Sequence, residues 1–323
     1  MGPQTEKGFF LGLDIGSVST NIVLLDPNGD LVEKQYLRTN GQPIEALKQG
    51  LGDLGRKYAV DQIAGVGATG SGRQLASAIA GADIVKNEIT AHAFATSTLI
   101  PGARTVIEIG GQDSKLILLK DGMVVDFAMN TVCAAGTGSF LDRQAARLDI
   151  PIEQFGAYAL RARNPVRIAG RCAVFAETDM IHKQQTGCAP EDIIAGVCEA
   201  LVRNYLSNLA KGKTLGEPVV FQGGVAANIG IVAAFEKALS KKITVPVYYD
   251  VMGAYGAALT AKQAMAEKSN TSFRGFDAIA VDHRAKSMEC SDCSNLCEIV
   301  ELSCGQDILA RWGGRCGKWA FNQ

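Results

Sequence analysis

The sequence lacks an excess of charge of either sign. Its 32 lysines and arginines are balanced by 33 aspartates and glutamates, so the formal net charge is −1. This balance gives no electrostatic reason to expect nucleic acid or an anionic membrane as the main partner. Long apolar runs are lacking too, because the longest, at residues 218–235, is broken by a glutamine, two glycines and an asparagine. We therefore expect no helix that spans a membrane.

The chain also lacks the pattern of a secretory signal. Its first ten residues, MGPQTEKGFF, contain no basic segment followed by an apolar one, so we expect a cytoplasmic protein. Nine cysteines are present, and five of them lie within residues 290–323. In a chain that is not exported, an odd number of cysteines indicates metal or redox chemistry before structural disulfides.

A duplicated α/β fold is predicted from the order of the elements. The 323 residues, of which 47% are hydrophobic, can bury a sizeable core and predict roughly two domains at about 150 residues each. Residues 9–38 and 104–130 each contain three strands joined by tight turns, and helices alternate with strands after both stretches. This repeat predicts two α/β halves, which we place at residues 1–132 and 133–267.

The composition changes after the second half. Residues 268–284 are polar and predict a linker, whereas residues 285–323 form a cysteine-rich module. The module has too few apolar residues to fold by core burial alone, so we expect it to need a metal. Cys290, Cys293 and Cys297 are close enough to converge on one metal ion or cluster. Cys316, which follows a Gly-Gly-Arg turn, is the preferred fourth ligand, and Cys304 is the alternative.

The spacing of the module cysteines does not identify the metal. A second [4Fe–4S] cluster, Zn²⁺ and a metal-free disulfide knot are all compatible with it.

Three glycine turns follow strands, at residues 13–20, 108–115 and 221–228. In the first two, an acidic residue precedes the glycine and the chain then enters another strand. Glycine allows backbone N–H groups to approach phosphate oxygens closely, and the acids would hold Mg²⁺ through water. In the third, Gly223 and Gly224 lie just before a helix and suit the packing of a base or ribose. Any one of these turns alone could be an ordinary turn, but three in this order favour a nucleotide site.

Two central cysteines precede predicted helices. Cys133 lies in NTVCAAGTGSF and Cys172 in GRCAVF. A helix N-terminus favours a thiolate or an anionic cluster. Two thiolates cannot complete a four-cysteine site, but a twofold axis between two subunits would supply the other two. The alternative is that both are small buried cysteines.

These motifs together resemble a known family. The three turns resemble the two phosphate loops and the adenosine loop of the actin/hexokinase/sugar-kinase/chaperone ATPase superfamily. More narrowly, they resemble activator ATPases of 2-hydroxyacyl-CoA dehydratases and related benzoyl-CoA reductase subunits, over roughly residues 8–266. ATGSGR at residues 68–73 and both cysteine motifs match that family. The resemblance implies a duplicated actin/hexokinase-like (ribonuclease H-like) ATPase fold.

The resemblance also implies a function. The implied protein is an ATP-dependent one-electron reductase, a homodimer in which Cys133 and Cys172 of both subunits would hold one [4Fe–4S] cluster. The donor would be a ferredoxin or flavodoxin, and the acceptor an iron–sulfur partner of the dehydratase, benzoyl-CoA reductase or double-cubane type. The residues that would position Mg²⁺ and the attacking water are Asp14, Glu108, Gln112 and Asp113. The residues that would bind ATP or ADP are Gly16, Ser17, Val18, Ser19, Gly110, Gly111, Gly136, Thr137, Gly138, Gly223, Gly224, Val225 and Asn228.

Two other functions stay open from the residues. A small-molecule kinase of the same superfamily would use an aspartate, Asp113 or Asp142, to deprotonate a substrate hydroxyl. A nucleotide sensor with a zinc-binding tail would need no catalytic residue. Neither function gives a role to Cys133 and Cys172.

Overall fold

The structure, a computed structural model, describes residues 8–130, 133–268, 270–277 and 281–322. Thr131 and Val132 of the first cysteine motif, and residues 269 and 278–280 of the predicted linker, lie outside the described residues. Among the described residues, no helix is both long and apolar enough to cross a membrane.

The elements alternate as an α/β protein. The helices are α1 (Pro43–Gly55), α2 (Arg73–Ala80), α3 (Glu88–Leu99), α4 (Gly138–Arg147), α5 (Ile152–Leu160), α6 (Ala173–Gln185), α7 (Pro190–Leu209), α8 (Ile229–Leu239) and α9 (Met252–Ala264). The strands are β1 (Phe9–Ile15), β2 (Ser19–Leu25), β3 (Leu31–Arg38), β4 (Ile63–Thr69), β5 (Ile84–Val85), β6 (Thr105–Ile109), β7 (Ser114–Lys120), β8 (Met123–Asn130), β9 (Val219–Gln222), β10 (Ile243–Thr244), β11 (His283–Glu289), β12 (Glu298–Cys304), β13 (Asp307–Trp312) and β14 (Phe321–Asn322).

The chain folds into two compact units. The first contains Met1–Ala91 together with Gly253–Gln323, and the second contains His92–Met252. The boundary between halves was predicted at residue 132 instead, which assigned the second set of strands, at residues 104–130, to the first half.

The first unit is built on a sheet of order β3-β2-β1-β4-β5. β1 is antiparallel to β2 and parallel to β4, with Asp14 opposite Thr69. Helix α9 packs directly on this sheet, since a side chain at Gly12 or Gly67 would overlap the backbone oxygens of Ala254 or Ala257. This close packing explains why the end of the predicted second half belongs to the first unit.

The second unit repeats the arrangement, with a sheet of order β10-β9-β6-β7-β8. β6 is antiparallel to β7 and parallel to β9. The core between sheet and helices includes Tyr205, Phe221 and Phe235, whose rings meet edge to face at centroid distances of 5.2–5.4 Å. The matching strand orders confirm the predicted duplication.

Some predicted elements differ from the structure. Helix α5 was not predicted, although it buries Phe155 and packs against α7 and α8. Strand β10, the last strand of the second sheet along the chain, is only two residues long. Part of the predicted linker packs on the first unit, because Phe276 is buried and the Ser272 N–H donates to Asp83 Oδ1 at 2.6 Å.

The cysteine-rich module is an antiparallel sheet of order β11-β12-β13-β14. It contributes Leu302 and Ala310 to the apolar core of the first unit, and β13 contacts α2. The module therefore gains the core that its own composition lacks from its neighbour. No group of three or more metal-ligating side chains is assembled within the described ranges, so the predicted metal module is not confirmed.

Candidate functional site

The first glycine turn joins β1 to β2 in the first unit. The Gly16 N–H donates to Ser19 O at 2.8 Å, and Thr39 Oγ1 donates to Gly16 O at 3.0 Å. The Thr39 N–H also donates to Val18 O at 2.9 Å. Ser17 stays exposed at the tip. Bonds from Thr39, the residue after β3, thus fix the turn and leave its tip open to a ligand.

The ATGSGR segment lies at the same end of this sheet, because β4 runs parallel to β1. Gly70 has a φ of +90°, and a Cβ placed there would lie 2.6 Å from Asp14 Oδ1. The Gly72 N–H donates to Ile15 O at 2.8 Å. No role was predicted for this segment from the sequence, and the structure shows that it packs against the predicted catalytic Asp14.

The second glycine turn joins β6 to β7 in the second unit. The Gly110 N–H donates to Asp113 O at 3.1 Å, and Gln112 is exposed. Lys115 was not predicted as a site residue, yet its Nζ lies 2.9 Å from Glu108 Oε2 and 2.8 Å from Asp113 Oδ2. The side chains of Glu108 and Lys115 are only 6% and 3% exposed. One buried ammonium therefore holds both predicted acids of this turn.

The third turn lies beside the second. β9 is parallel to β6, so Gln222 is opposite Glu108 and the turn begins at Gly223. Gly223 has a φ of +89°, and a Cβ there would overlap Ile109 O and lie 2.7 Å from Glu108 Oε1. Both the left-handed backbone and the close approach require glycine.

The N-terminus of α4 completes this end of the second sheet. The Gly138 and Ser139 N–H groups donate to Gly110 O and Gly111 O, both at 2.9 Å. The structure thus brings the predicted nucleotide residues Gly110, Gly111 and Gly138 together with the Gly223 turn.

Other predicted nucleotide residues have structural contacts. Asn228 Oδ1 caps α8 by accepting from the N–H groups of Gly230 and Ile231 at 3.0 and 3.1 Å. Thr137 is buried, and its hydroxyl donates to Ala134 O at 2.7 Å. Val225 is also largely buried. The sequence could not show these contacts, since capping and ligand binding favour the same polar residue types.

A buried polar network supports the third turn. Gln222 Nε2 lies 3.0 Å from His92 Nδ1, and Thr96 Oγ1 lies 3.2 Å from Gln222 Oε1. Burial lowers the pKa of the His92 imidazole to about 3, and repulsion from Lys115 adds to this effect. His92 is therefore neutral and accepts a hydrogen bond from the amide of Gln222. No sequence signal links these residues, because 130 positions separate His92 from Gln222.

The two central cysteine segments meet in the second unit. Cys133 Sγ lies 3.8 Å from Arg171 O, the residue just before Cys172. Asn204 Nδ2 lies 3.6 Å from Cys133 Sγ and 2.5 Å from Gly170 O, so it bridges the two segments. Cys172 is the residue before α6, and both cysteines are partly exposed. This donor set fits half of a four-cysteine cluster site.

Two loops of the module contain four of its cysteines. The β11–β12 loop contains Cys290, Cys293 and Cys297, and the Cys290 N–H donates to Cys297 O at 2.8 Å. The β13–β14 loop contains Cys316 and also Trp319, whose Nε1–H donates to Cys290 Sγ at 3.2 Å.

The strand directions separate the two candidates for the fourth ligand. In an antiparallel sheet, the β11–β12 and β13–β14 loops lie at the same end, whereas Cys304 ends β12 at the opposite end. The fold thus favours Cys316 over Cys304 as a partner of the other three cysteines.

The repeated sheets and their glycine turns define an ATPase of the actin/hexokinase-like α/β fold. The chain belongs to the BadF/BadG/BcrA/BcrD ATPase family, whose sequence model matches residues 11–261. It is similar to the 2-hydroxyisocaproyl-CoA dehydratase activator of Clostridioides difficile, with 36% identity over 81% of this chain and 99% of that protein. It is also 34% identical to the (R)-2-hydroxyglutaryl-CoA dehydratase activating ATPase of Acidaminococcus fermentans, over 80% of this chain and 99% of that one.

Solved structures agree with these relationships. The C. difficile activator with bound ADPNP superposes with a TM-score of 0.73 over 80% of this chain and 96% of that one, at 35% identity. A glucokinase of the ROK family from Streptomyces griseus, at 13% identity and a TM-score of 0.52, covers 79% of this chain and 100% of that one and shares the fold alone. Residues 262–323, which include the cysteine-rich module, lie beyond the family match.

Proposed function

We propose that this protein is an ATP-dependent one-electron reductase that activates an iron–sulfur partner enzyme. The observation that carries the proposal is the contact between the Cys133 and Cys172 segments beside a nucleotide-binding sheet. The named functions of the relatives support it, since both are activators of 2-hydroxyacyl-CoA dehydratases. The partner would be a dehydratase, a benzoyl-CoA reductase or a double-cubane protein. A kinase would leave the paired cysteine segments without a role.

The glycine turns would bind the nucleotide. The turn from Gly16 to Ser19 in the first unit, and the turns beginning at Gly110 and Gly223 in the second, lie at strand ends, and the remaining backbone N–H groups of these turns would bind phosphate oxygens. The residues that would hold Mg²⁺ through water and orient the attacking water are Asp14, Glu108, Gln112 and Asp113. Lys115 would hold Glu108 and Asp113 in place, because its ammonium contacts both carboxylates.

The central cysteines would hold one [4Fe–4S] cluster between two subunits. Each subunit supplies two thiols, Cys133 and Cys172, and twofold symmetry completes four. Val174 and Phe175, which follow Cys172, are 67% and 66% exposed, as expected for an apolar surface that a second copy covers. When bound, the cluster supplies one-electron redox chemistry, with a ferredoxin or flavodoxin as electron donor.

The module cysteines would bind a second metal. Cys290, Cys293, Cys297 and Cys316 lie in loops at one end of its sheet, and they would hold either a [4Fe–4S] cluster or Zn²⁺.

Metal analysis of anaerobically purified protein tests the proposal. We expect a brown homodimer with about four irons, or about twelve if each module also holds a cluster. Cys133→Ser should lose the shared cluster and ATP-dependent electron transfer. Cys188→Ser, at another partly exposed cysteine of the same unit, is the control and should keep both. A colourless wild-type protein, or a Cys133→Ser variant with full activity, would refute the proposal.

A further inference from the structure

Asn204 occupies a central position between the two cysteine segments. It lies on α7 and is 2% exposed. A primary amide carries two N–H donors, and the side chain has one acceptor for each, Gly170 O at 2.5 Å and Cys133 Sγ at 3.6 Å. Its Oδ1 accepts from Asn208 Nδ2 at 3.2 Å. The amide is thus hydrogen-bonded at both its nitrogen and its oxygen.

The chain around Cys133 is shaped to this amide. A Cβ placed on Gly136 would lie only 2.7 Å from Asn204 Oδ1. Glycine at this position therefore lets the first cysteine segment pack against the Asn204 side chain.

The two contacts of the Cys133 sulfur differ in the protonation state of the sulfur that each hydrogen bond requires. Arg171 O, at 3.8 Å, can only accept a hydrogen bond from the S–H of the protonated thiol. Asn204 donates, so its bond is available to a thiolate, which accepts hydrogen bonds more strongly than a thiol. A metal ligand must be a thiolate, and the Asn204 bond is therefore the contact that suits the metal-bound state.

We infer that Asn204 is a positioning residue that holds the Cys133 sulfur beside the second cysteine segment and raises the reduction potential of the cluster through its N–H···S bond. The inference rests on the proposed function. Reduction adds negative charge to the cluster and its sulfurs, and a donor aimed at a ligand sulfur stabilises the reduced state more than the oxidised one.

A redox titration followed by electron paramagnetic resonance tests the inference. In the iron-loaded homodimer, Asn204→Ala should raise the ratio of oxidised to reduced cluster about tenfold at a fixed ambient potential, a midpoint lowered by about 59 mV for a one-electron couple. Asn208→Ala removes the amide that donates to Asn204 Oδ1, one turn along α7, but leaves both N–H donors of Asn204 and their two acceptors in place. It is the matched control and should keep the wild-type midpoint.

The outcomes separate this inference from the proposed function. Wild-type protein without iron would refute the proposed function. An iron-loaded Asn204→Ala variant with the wild-type midpoint would overturn the role of Asn204 and leave the proposed function intact.

A second measurement applies if Asn204→Ala does not fold or load iron. It uses Asn130→Asp protein whose asparagine side chains are labelled with ¹⁵N. Asn130 is the other side-chain amide that contacts Cys133, and the substitution removes its nitrogen but keeps an oxygen that accepts from the Cys133 N–H. Pulsed electron paramagnetic resonance of the reduced cluster should then detect a side-chain nitrogen coupling. Its absence would overturn the inference.

Discussion

Lys115 determines the electrostatics of the second glycine turn. Its ammonium contacts Glu108 and Asp113, and it is itself buried. Burying an ion pair costs desolvation energy that the pair interaction offsets only while both partners are present. The stability of the turn therefore depends on Lys115, although our proposal does not place Lys115 in contact with the nucleotide.

Lys115→Met should destabilise the second unit strongly. It removes the cation bonded to buried Glu108, and breaking such a pair costs about 3–5 kcal/mol. Lys120→Met, at the exposed end of the same strand, is the matched control and should change the free energy of unfolding by less than about 0.5 kcal/mol. Urea unfolding monitored by circular dichroism measures both. Equal losses in the two variants would contradict the assigned role of Lys115.

Gly223→Ala should weaken nucleotide binding by at least about tenfold, because a Cβ there displaces the strand end of Ile109 and the Glu108 carboxylate. Gly212 also has a positive φ, but nothing lies within 4 Å of the Cβ that a substitution would add. Gly212→Ala therefore carries the backbone strain without the overlap, and it should bind ADP as the wild type does. Isothermal titration calorimetry with ADP compares the two variants. Similar affinities would refute the placement of the Gly223 turn in the nucleotide site.

The buried imidazole of His92 predicts a pH dependence of stability. Its pKa is about 3 in the folded protein, against an ordinary value of 6.5. Between these values the unfolded chain binds a proton that the folded chain does not, so the stabilisation is complete above about pH 6.5 and is lost as the pH falls toward 3.

His92→Gln should flatten this dependence. Between pH 6 and pH 4, the variant should lose less unfolding free energy than the wild type, by about 1.4 kcal/mol per pH unit. His182→Gln, at an exposed histidine of the same unit, controls for the change of residue type. Identical slopes of unfolding free energy against pH for wild type and His92→Gln would contradict the prediction. They would mean that His92 takes up a proton over the same pH range in the folded and the unfolded chain.

At the scale of elements, the sequence predicted what local patterns encode. Asp26-Pro27-Asn28-Gly29 and Asp121-Gly122 mark turns between strands, and both lie between consecutive strands of the structure. The glycine turns were predicted for the same reason. Helix α5 was missed because its nine residues, IEQFGAYAL, contain a glycine and too few turns to show a clear period.

Contacts between distant residues could not be predicted. Lys115 looked like one residue of a strand, and the links from His92 to Gln222 and from Asn204 to Cys133 span 130 and 71 positions. Such pairs are brought together by the order of strands and helices, which a single sequence does not encode locally. The same limit explains why Cys304 and Cys316 were both retained as candidates until the strand directions were known.

The module gives an element-scale prediction about metal binding. Because Cys316 lies at the same sheet end as Cys290, Cys293 and Cys297, Cys316→Ser should lose the metal of the module. Cys304 lies at the other end, so Cys304→Ser should retain it. Iron and zinc content per chain, measured by plasma mass spectrometry, compares the two. Loss of metal in Cys304→Ser alone would contradict this assignment.

At the scale of the whole molecule, the two sets of cysteines differ in their position relative to the region that matches the family. Residues 11–261 match the ATPase family, and the central cysteines lie within them, in the second unit. The module lies beyond the match and belongs to the first unit. This chain covers 99% of each of the two activator relatives, and the module lies outside the region that it shares with the ATPase family.

The central claim is that ATP hydrolysis is coupled to electron delivery through the cysteines of the second unit. The most direct test mixes the dithionite-reduced and desalted homodimer with an oxidised low-potential viologen and follows the viologen radical by stopped-flow absorbance. We expect rapid radical formation with ATP and Mg²⁺, little with ADP or without nucleotide, and none from Cys133→Ser, whereas Cys188→Ser should match the wild type. Equal radical formation without nucleotide, or from Cys133→Ser, would contradict the claim.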